Sequence, residues 1–321
     1  MGSDVTLSEE LTDDEWLAEI ETFGEAKGYF QPLGGSHAAV FADNSPDTLL
    51  VYFDTIPGAR STNPSGLPVP VEIAEALGWS HLALYSRKAT WFRDHRVYRF
   101  FDGLVDEGFL EEFERVVFFG AGSGGYAAAA FSVAAPGATV IAVAPQATLD
   151  PDMAEWDDRF VTMRRTSFTD RYGYAPDMVE AAERVFVVYD PLVELDAMHA
   201  AMFRGANTAR IRFRNAGPGT GREFMAMGAL RPVLEAAAEG RLDAQEMFRA
   251  LRMRHNYQPY LRNLLTRLHA EERHLLTAIL CRATLARWNS PRFKHHLELA
   301  EQKLARMGRT LPARREKQVD G

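Results

Sequence analysis

Charge is missing between Arg115 and Asp150, cysteine is almost missing from the chain, and histidine is missing between His199 and His255. Each gap excludes something. The uncharged stretch is long enough to raise the question of a membrane span. Gly120, Gly122, Gly124, Gly125 and the Pro136-Gly137 pair cut it into pieces, and a spanning helix is not cut that way. The one cysteine, Cys281, excludes an internal disulfide and a cysteine-based metal cluster. It lies in the apolar run Leu275 to Leu285 and reads as a buried helix residue. The chain opens with Asp4, Glu9, Glu10, Asp13, Asp14 and Glu15 in place of a basic-then-apolar leader, so a cytoplasmic location is expected. No zinc finger or aromatic-interleaved RNA motif is present, so nucleic-acid binding is not expected. No residue set asks for a cofactor or a metal.

What is present is bulk and an uneven charge. At 321 residues and 46% hydrophobic content the chain can bury a large core, enough for one large domain with an appendage. The net charge of −8 is distributed unevenly. Residues 241–321 carry 17 basic and 8 acidic side chains, a balance of +9, which leaves −17 on residues 1–240. Basic helices of this kind lie against an acidic body of their own chain, stay solvated, or take an acidic protein partner.

The uncharged stretch organises the rest. Val116 to Phe119 is β-branched and aromatic, Tyr126 to Ala134 is alanine-rich, and Ala138 to Ala144 is β-branched again, which predicts strand, tight turn, helix, loop, strand. Such a unit is apolar throughout because a parallel sheet is buried on both faces. The turn admits two readings. Gly120, Gly122 and Gly125 satisfy G-x-G-x-x-G, the dinucleotide spacing, but the next strand ends Ala144-Pro145-Gln146 without the acid that would hold a ribose. Ala121-Gly122-Ser123-Gly124-Gly125 instead fits a nucleophile elbow, in which a sharp turn exposes a hydroxyl between tiny neighbours and Ser123 is the nucleophile.

Along the chain, Thr12 to Glu15 reads as a capping box opening a helix to about Lys27, with Trp16, Ile20 and Phe23 on one face. His37 to Ala42 and Thr48 to Phe53 read as a hairpin across Asp43 to Asp47. Ile56 to Pro70 reads as a loop, Val71 to Leu77 as a helix, His81 to Tyr85 as a strand and Val97 to Phe113 as a helical run. Pro151 to Tyr174, rich in charge and aromatics without a clean period, is a candidate lid. Ala175 to Glu183 reads as a helix, and Val185 to Tyr189 and Ala209 to Phe213 as the last strands. The expectation is a mostly parallel α/β sheet with helices on both faces, spanning residues 29–235 behind an N-terminal helix within 1–28. A basic helical appendage follows over 240–308, its third helix opened by Ser290-Pro291 and stopped by Gly308, and a disordered basic tail over 309–321.

The hairpin start, the elbow from Gly120 to Tyr126 and the strand-loop Val187-Val188-Tyr189-Asp190-Pro191 resemble the α/β-hydrolase superfamily. Within it, the stretch from Gly120 to Pro151 resembles a group of bacterial proteins whose elbow reads roughly G-x-S-M-G-G-Y and whose next strand ends in Pro-Gln. Some of that group are called phosphoadenosine phosphosulfate reductases. The residues here do not support that chemistry, since it relies on a reactive cysteine near the C-terminus.

The resemblance implies a serine nucleophile, a carboxylate after the strand ending at Tyr189, and a histidine base after the last strand. Aligned on Tyr126, the nucleophile position falls on Gly122; aligned on the serine, it falls on Ser123, with Gly124 and Gly125 behind it. The acid is Asp190 or Asp196. The segment Arg214 to Gly221, where the base belongs, has no histidine. His95, just beyond a strand end, is the best-placed substitute; His199 reads as a surface helix residue or as a partner for Asp196, and His37, His81 and His255 are worse placed. Backbone donors for an oxyanion fall after the nucleophile and near Asp54 and Thr55. Two functions follow: an atypical serine acyl-ester hydrolase or acyltransferase acting on a small-molecule or acyl substrate, or a hydrolase-fold protein that has lost the reaction and serves as a binding or scaffolding module through its crevice and basic helices. A dinucleotide-binding protein comes third.

Overall fold

In the computed structural model, which describes residues 11–61 and 67–312, eight strands form one sheet in the order β1-β2-β4-β3-β5-β6-β7-β8. The strands are β1 (Gly28–Leu33), β2 (His37–Ala42), β3 (Thr48–Thr55), β4 (Ser80–Ser86), β5 (Arg115–Ala121), β6 (Thr139–Val143), β7 (Arg184–Tyr189) and β8 (Thr208–Arg212). β2 runs antiparallel to β1 and β4, and β3 to β8 are parallel. The helices are α1 (Asp13–Lys27), α2 (Ile56–Ser61), α3 (Val69–Leu77), α4 (His95–Asp106), α5 (Ser123–Phe131), α6 (Pro151–Ala154), α7 (Ala175–Met178), α8 (Glu194–Met202), α9 (Thr220–Ala226), α10 (Leu230–Ala238), α11 (Ala244–Ala250), α12 (Gln258–Ala270), α13 (His274–Leu285) and α14 (Pro291–Arg306).

The expected hairpin between His37–Ala42 and Thr48–Phe53 does not form. β2 folds back onto β1 through Gly34 (φ +77), and β3 lies beyond β4. β1 was hidden because it is a poor strand by composition: Pro32 cannot donate to a ladder, and half of the strand is exposed at the sheet edge. Ile56 to Ser61, expected as loop, is the short α2, and the expected Ala175 to Glu183 helix is reduced to the single turn of α7.

Side-chain alternation along β3 explains why helices cover both faces. Leu49, Val51 and Phe53 point to one side, where Phe53 stacks on Phe101 of α4 and Phe131 of α5 at 5.8 and 5.7 Å. Tyr52 points to the other and meets Tyr85, which in turn meets Trp16 of α1 edge-on at 5.0 Å. α1 begins as its sequence predicts, with the Thr12 and Glu15 side chains capping each other's backbone N–H groups.

The densest packing lies around α5. A Cβ on Gly120 would come 2.1 Å from the Gly124 carbonyl oxygen, and one on Gly124 would come 2.2 Å from that of Phe53. One on Gly125 would meet the Val143 oxygen at 3.0 Å. α5 is thereby pressed against β5, β3 and β6 with no side chain between the backbones. Its alanines (Ala127 to Ala130), all fully buried, are the residues that tolerate such an approach.

The chain divides into two compact units, residues 1–252 and 253–321. α10 packs on β5 and α11 on β8, so the appendage expected from residue 240 begins later than its charge suggested. In the second unit α13 and α14 pack through Ala278, Ala300 and Leu304. Cys281 is fully buried there and its thiol is pushed up to about 12 by that burial, which disfavours the thiolate. Gly308 (φ +67) follows α14, as expected. The basic residues Arg314, Arg315 and Lys317 of the expected tail, and Asp4, Glu9 and Glu10, lie outside the described residues. Among the described residues no helix is long and apolar enough to cross a membrane.

Two alanine substitutions read this packing. Gly124→Ala should cost about 2 kcal/mol or more through overpacking against Phe53. Gly103→Ala, in α4 with open space around it, should gain about 0.5 kcal/mol from helix propensity. Urea unfolding midpoints of the two variants measure both.

Candidate functional site

β4 lies to one side of β3 and β5 to the other, so the strand order reverses between β3 and β5. In open α/β sheets a ligand crevice forms outside the carboxyl ends of the strands at such a reversal. Here that place holds Asp54 at the end of β3 and Gly122 after β5. A crevice of about 340 Å³ opens there, within the range of small-molecule sites.

The apex of the turn after β5 is Gly122, with φ 56 and ψ −121, and Ser123 is the first residue of α5. The two positions that tolerate no side chain, Gly120 and Gly124, flank Gly122 symmetrically. The small-x-apex-x-small pattern is therefore centred one residue before Ser123. A Cβ on Gly122 would meet nothing within 4 Å, so space for a side chain at the apex exists and is left open. Ser123 still lines the crevice, but no histidine does.

The carboxylate after β7 is occupied otherwise. Asp190 is buried; its Oδ1 accepts from the Leu192 N–H at 3.0 Å and its Oδ2 from the Gly217 N–H at 2.8 Å. It ties down the loop after β8, where Asn215 (φ +67) and Gly217 (φ +78) turn the chain. That loop is itself pressed onto the elbow strand, since a Cβ on Gly221 would lie 2.5 Å from the Ala121 Cβ. Thr220 is buried and bonds the Gly217 carbonyl at 2.6 Å.

The other candidates are dispersed. His95 opens α4, is exposed, and faces its neighbour Asp94 at 3.4 Å, outside the crevice walls. His199 is fully buried and does not pair with Asp196. Its Nδ1 accepts the Ala147 N–H at 3.2 Å, so the ring proton sits on Nε2 and is donated to Asp157 Oδ2 at 2.9 Å. Asp196 instead takes Arg159 Nη1 at 2.7 Å, while Arg159 Nε and Nη2 grip Asp157. Burial pushes the Asp157 carboxyl up, but the bonds from His199 and Arg159 outweigh it and hold Asp157 well below the usual carboxylate range. For Asp196 burial wins over Arg159, and its carboxyl is raised.

These four side chains pin the 151–174 insertion over the crevice. Trp91 and Phe160 pack edge-on at 4.7 Å, and Trp91 Nε1 donates to Gln146 Oε1 at 2.9 Å. Trp91 (φ 52) and Ala144 (φ 46) hold left-handed backbone beside the Gly122 apex, and strain of this kind gathers at functional sites. Trp91, Gln146, Phe160 and Arg222 had no motif to announce them. The sequence signals were Gln146 and its Pro145 neighbour closing an otherwise apolar strand, and the aromatic-rich segment after it that contains Phe160.

Asp54 and Thr55, named in the sequence as candidate oxyanion positions, end β3, and Asp54 lines the crevice. Asp54 accepts from the Tyr52 hydroxyl at 2.5 Å and the Thr55 N–H at 2.7 Å. Burial nevertheless outweighs both bonds and pushes its carboxyl up to about 6. Gly58 is bare because a Cβ there would come 2.3 Å from Asp54 Oδ1.

Among solved structures the chain is similar to a carboxylesterase cloned from a metagenomic library (15% identity, 75% of this chain and 99% of that one, TM-score 0.41). It is similar also to a Pyrobaculum calidifontis esterase (13% identity, 73% and 95%, TM-score 0.45) and to mouse α/β hydrolase domain-containing protein 10 (10%, 64% and 97%, TM-score 0.40). No protein-family model and no curated protein matches the sequence. The fold is α/β-hydrolase-like. Its own sheet order, antiparallel lead-in and strand-to-helix elbow are the features that make it so.

Two variants test the electrostatics of this hydrolase-like crevice. Arg159→Ala leaves Asp157 and Asp196 buried without their cation and should cost about 3 kcal/mol. The Asp54 carboxyl, at about 6 against an ordinary 3.8, favours its protonated form in the fold. The stability it contributes is full below pH 3.8 and lost as pH rises through 6. Asp54→Asn removes that loss, so its stability relative to wild type should rise by about 3 kcal/mol between acid and pH 8. Thermal or urea melts of both variants across pH measure these effects.

Proposed function

We propose that the chain is a hydrolase-fold binding protein that holds a small molecule in the crevice without hydrolysing it. The observation that carries this reading is the apex of the elbow: Gly122, not a residue with a hydroxyl, occupies the turn after β5. Serine acyl transfer needs a hydroxyl, a base within hydrogen-bond reach and a carboxylate orienting that base. Here the apex has no side chain, the carboxylate Asp190 has both oxygens on backbone N–H groups, and no imidazole faces the crevice.

What remains supports binding. The cavity is roofed by the insertion, walled by Trp91 and Phe160, and furnished with polar groups of both signs from Asp54, Asp196, Arg159 and Arg222. Convergent polar groups in an aromatic-walled crevice are the marks of a small-molecule site. The atypical serine hydrolase or acyltransferase is the second reading, favoured by Ser123 lining the crevice. It would require Ser123 to act from the first turn of α5 with no imidazole to take its proton.

A serine-directed fluorophosphonate separates the two. Incubated with the full chain at pH 7 to 9 and read by intact mass, it should leave the protein unmodified. An adduct on Ser123 that disappears in Ser123→Ala would establish the hydrolase reading and overturn this one.

A further inference from the structure

Two charges on the crevice walls have no countercharge. Asp54 is bonded only by neutral donors, the Tyr52 hydroxyl and the Thr55 N–H, and no described cation lies within ion-pair distance of it. Its two oxygens offer about four acceptor sites, two of them still open. Arg222 curls over Gly219 at the crevice, with its Nη2 3.3 Å from where a Gly219 Cβ would stand, and makes no ion pair among the described residues. The remaining cation of the walls, Arg159, is already held by Asp157 and Asp196. Asp54 and Arg222 do not pair with each other. One half-buried carboxylate and one solvent-exposed guanidinium thus line the same cavity, neither of them in an ion pair among the described residues.

We propose that the crevice takes a small zwitterion, an α-amino acid with an apolar side chain, whose ammonium meets Asp54 and whose carboxylate meets Arg222. Its side chain lies against Trp91, Phe160 and Met225, the apolar part of the wall. A guanidinium suits a planar carboxylate because two parallel N–H bonds can form. An ammonium supplies the strong donors that a partly buried carboxylate lacks. The alternatives fit less well. A dianion such as a phosphate monoester would be repelled by Asp54, a simple acid would leave the half-buried Asp54 without a cation, and a simple amine would leave the exposed Arg222 to water alone. The open apex at Gly122 gives the ligand's backbone room beside the start of α5, where a hydroxyl would otherwise intrude. This assignment rests on the non-hydrolysing reading of the crevice.

The test is calorimetric titration of the full chain at pH 7.5 with three probes of one shape. These are L-leucine, 4-methylpentanoate, which lacks the ammonium, and 3-methylbutylamine, which lacks the carboxylate. L-leucine should bind, and each analogue should bind at least about tenfold more weakly, the loss expected for one charged hydrogen-bonding group. Asp54→Asn should erase the preference over 4-methylpentanoate, and Arg222→Ala the preference over the amine. An analogue binding as tightly as L-leucine, or no binding of L-leucine to the wild-type chain, overturns the proposal whatever the variants do. Failure here with no fluorophosphonate adduct removes only the zwitterion; an adduct on Ser123 removes the reading beneath it.

Discussion

The fold depends on a contact in which no side chain takes part. α5 lies directly on the backbones of β3, β5 and β6, with Gly120 and Gly124 closed to any Cβ by carbonyl oxygens little more than 2 Å away from where one would stand. This closeness makes the turn between β5 and α5 sharp, and the sharp turn lifts residue 122 to the crevice floor. The same contact holds the insertion: the Tyr126 hydroxyl, one turn into α5, donates to the Tyr172 and Gly173 carbonyls and ties the segment after β6 to the helix. An architecture suited to presenting a nucleophile is therefore kept whole while its apex carries a glycine.

Asp190, directly after β7, clamps the backbone of the loop after β8, and Gly221 at the start of α9 is packed too tightly on Ala121 to admit a side chain. His199 and Asp157 form a buried imidazole–carboxylate pair of the kind found in catalytic sites, yet the other ring nitrogen is spent on the Ala147 N–H and the pair serves to hold the roof. Buried charged groups are costly to separate from their partners, which makes this cluster a rigid wall. Asp54 and Arg222 are the exceptions, lining the cavity without an ion pair among the described residues.

The parallel sheet, the elbow and the candidate lid were legible in the sequence because each has a local signature: β-branched runs, a glycine cluster, and an aperiodic aromatic segment after a central strand. The absence of a histidine from Arg214 to Gly221 was equally plain. β1 was not legible, since an exposed edge strand containing Pro32 carries no alternation. The register of the elbow was not legible either. Ser123 and Gly122 both sit among small residues, and only contacts between distant backbones, Gly124 with Phe53 and Gly125 with Val143, decide which is the apex. The partners of Asp157, Arg159 and His199 come from segments far apart in the chain, which no spacing could announce.

The central claim is that this hydrolase-like scaffold does not use Ser123 for chemistry. Its most direct measure is the release of p-nitrophenol from p-nitrophenyl acetate by the wild-type chain beside Ser123→Ala, both checked for an intact fold. The account predicts the same rate for the two proteins, with no burst. A burst in the wild type that Ser123→Ala abolishes would contradict it.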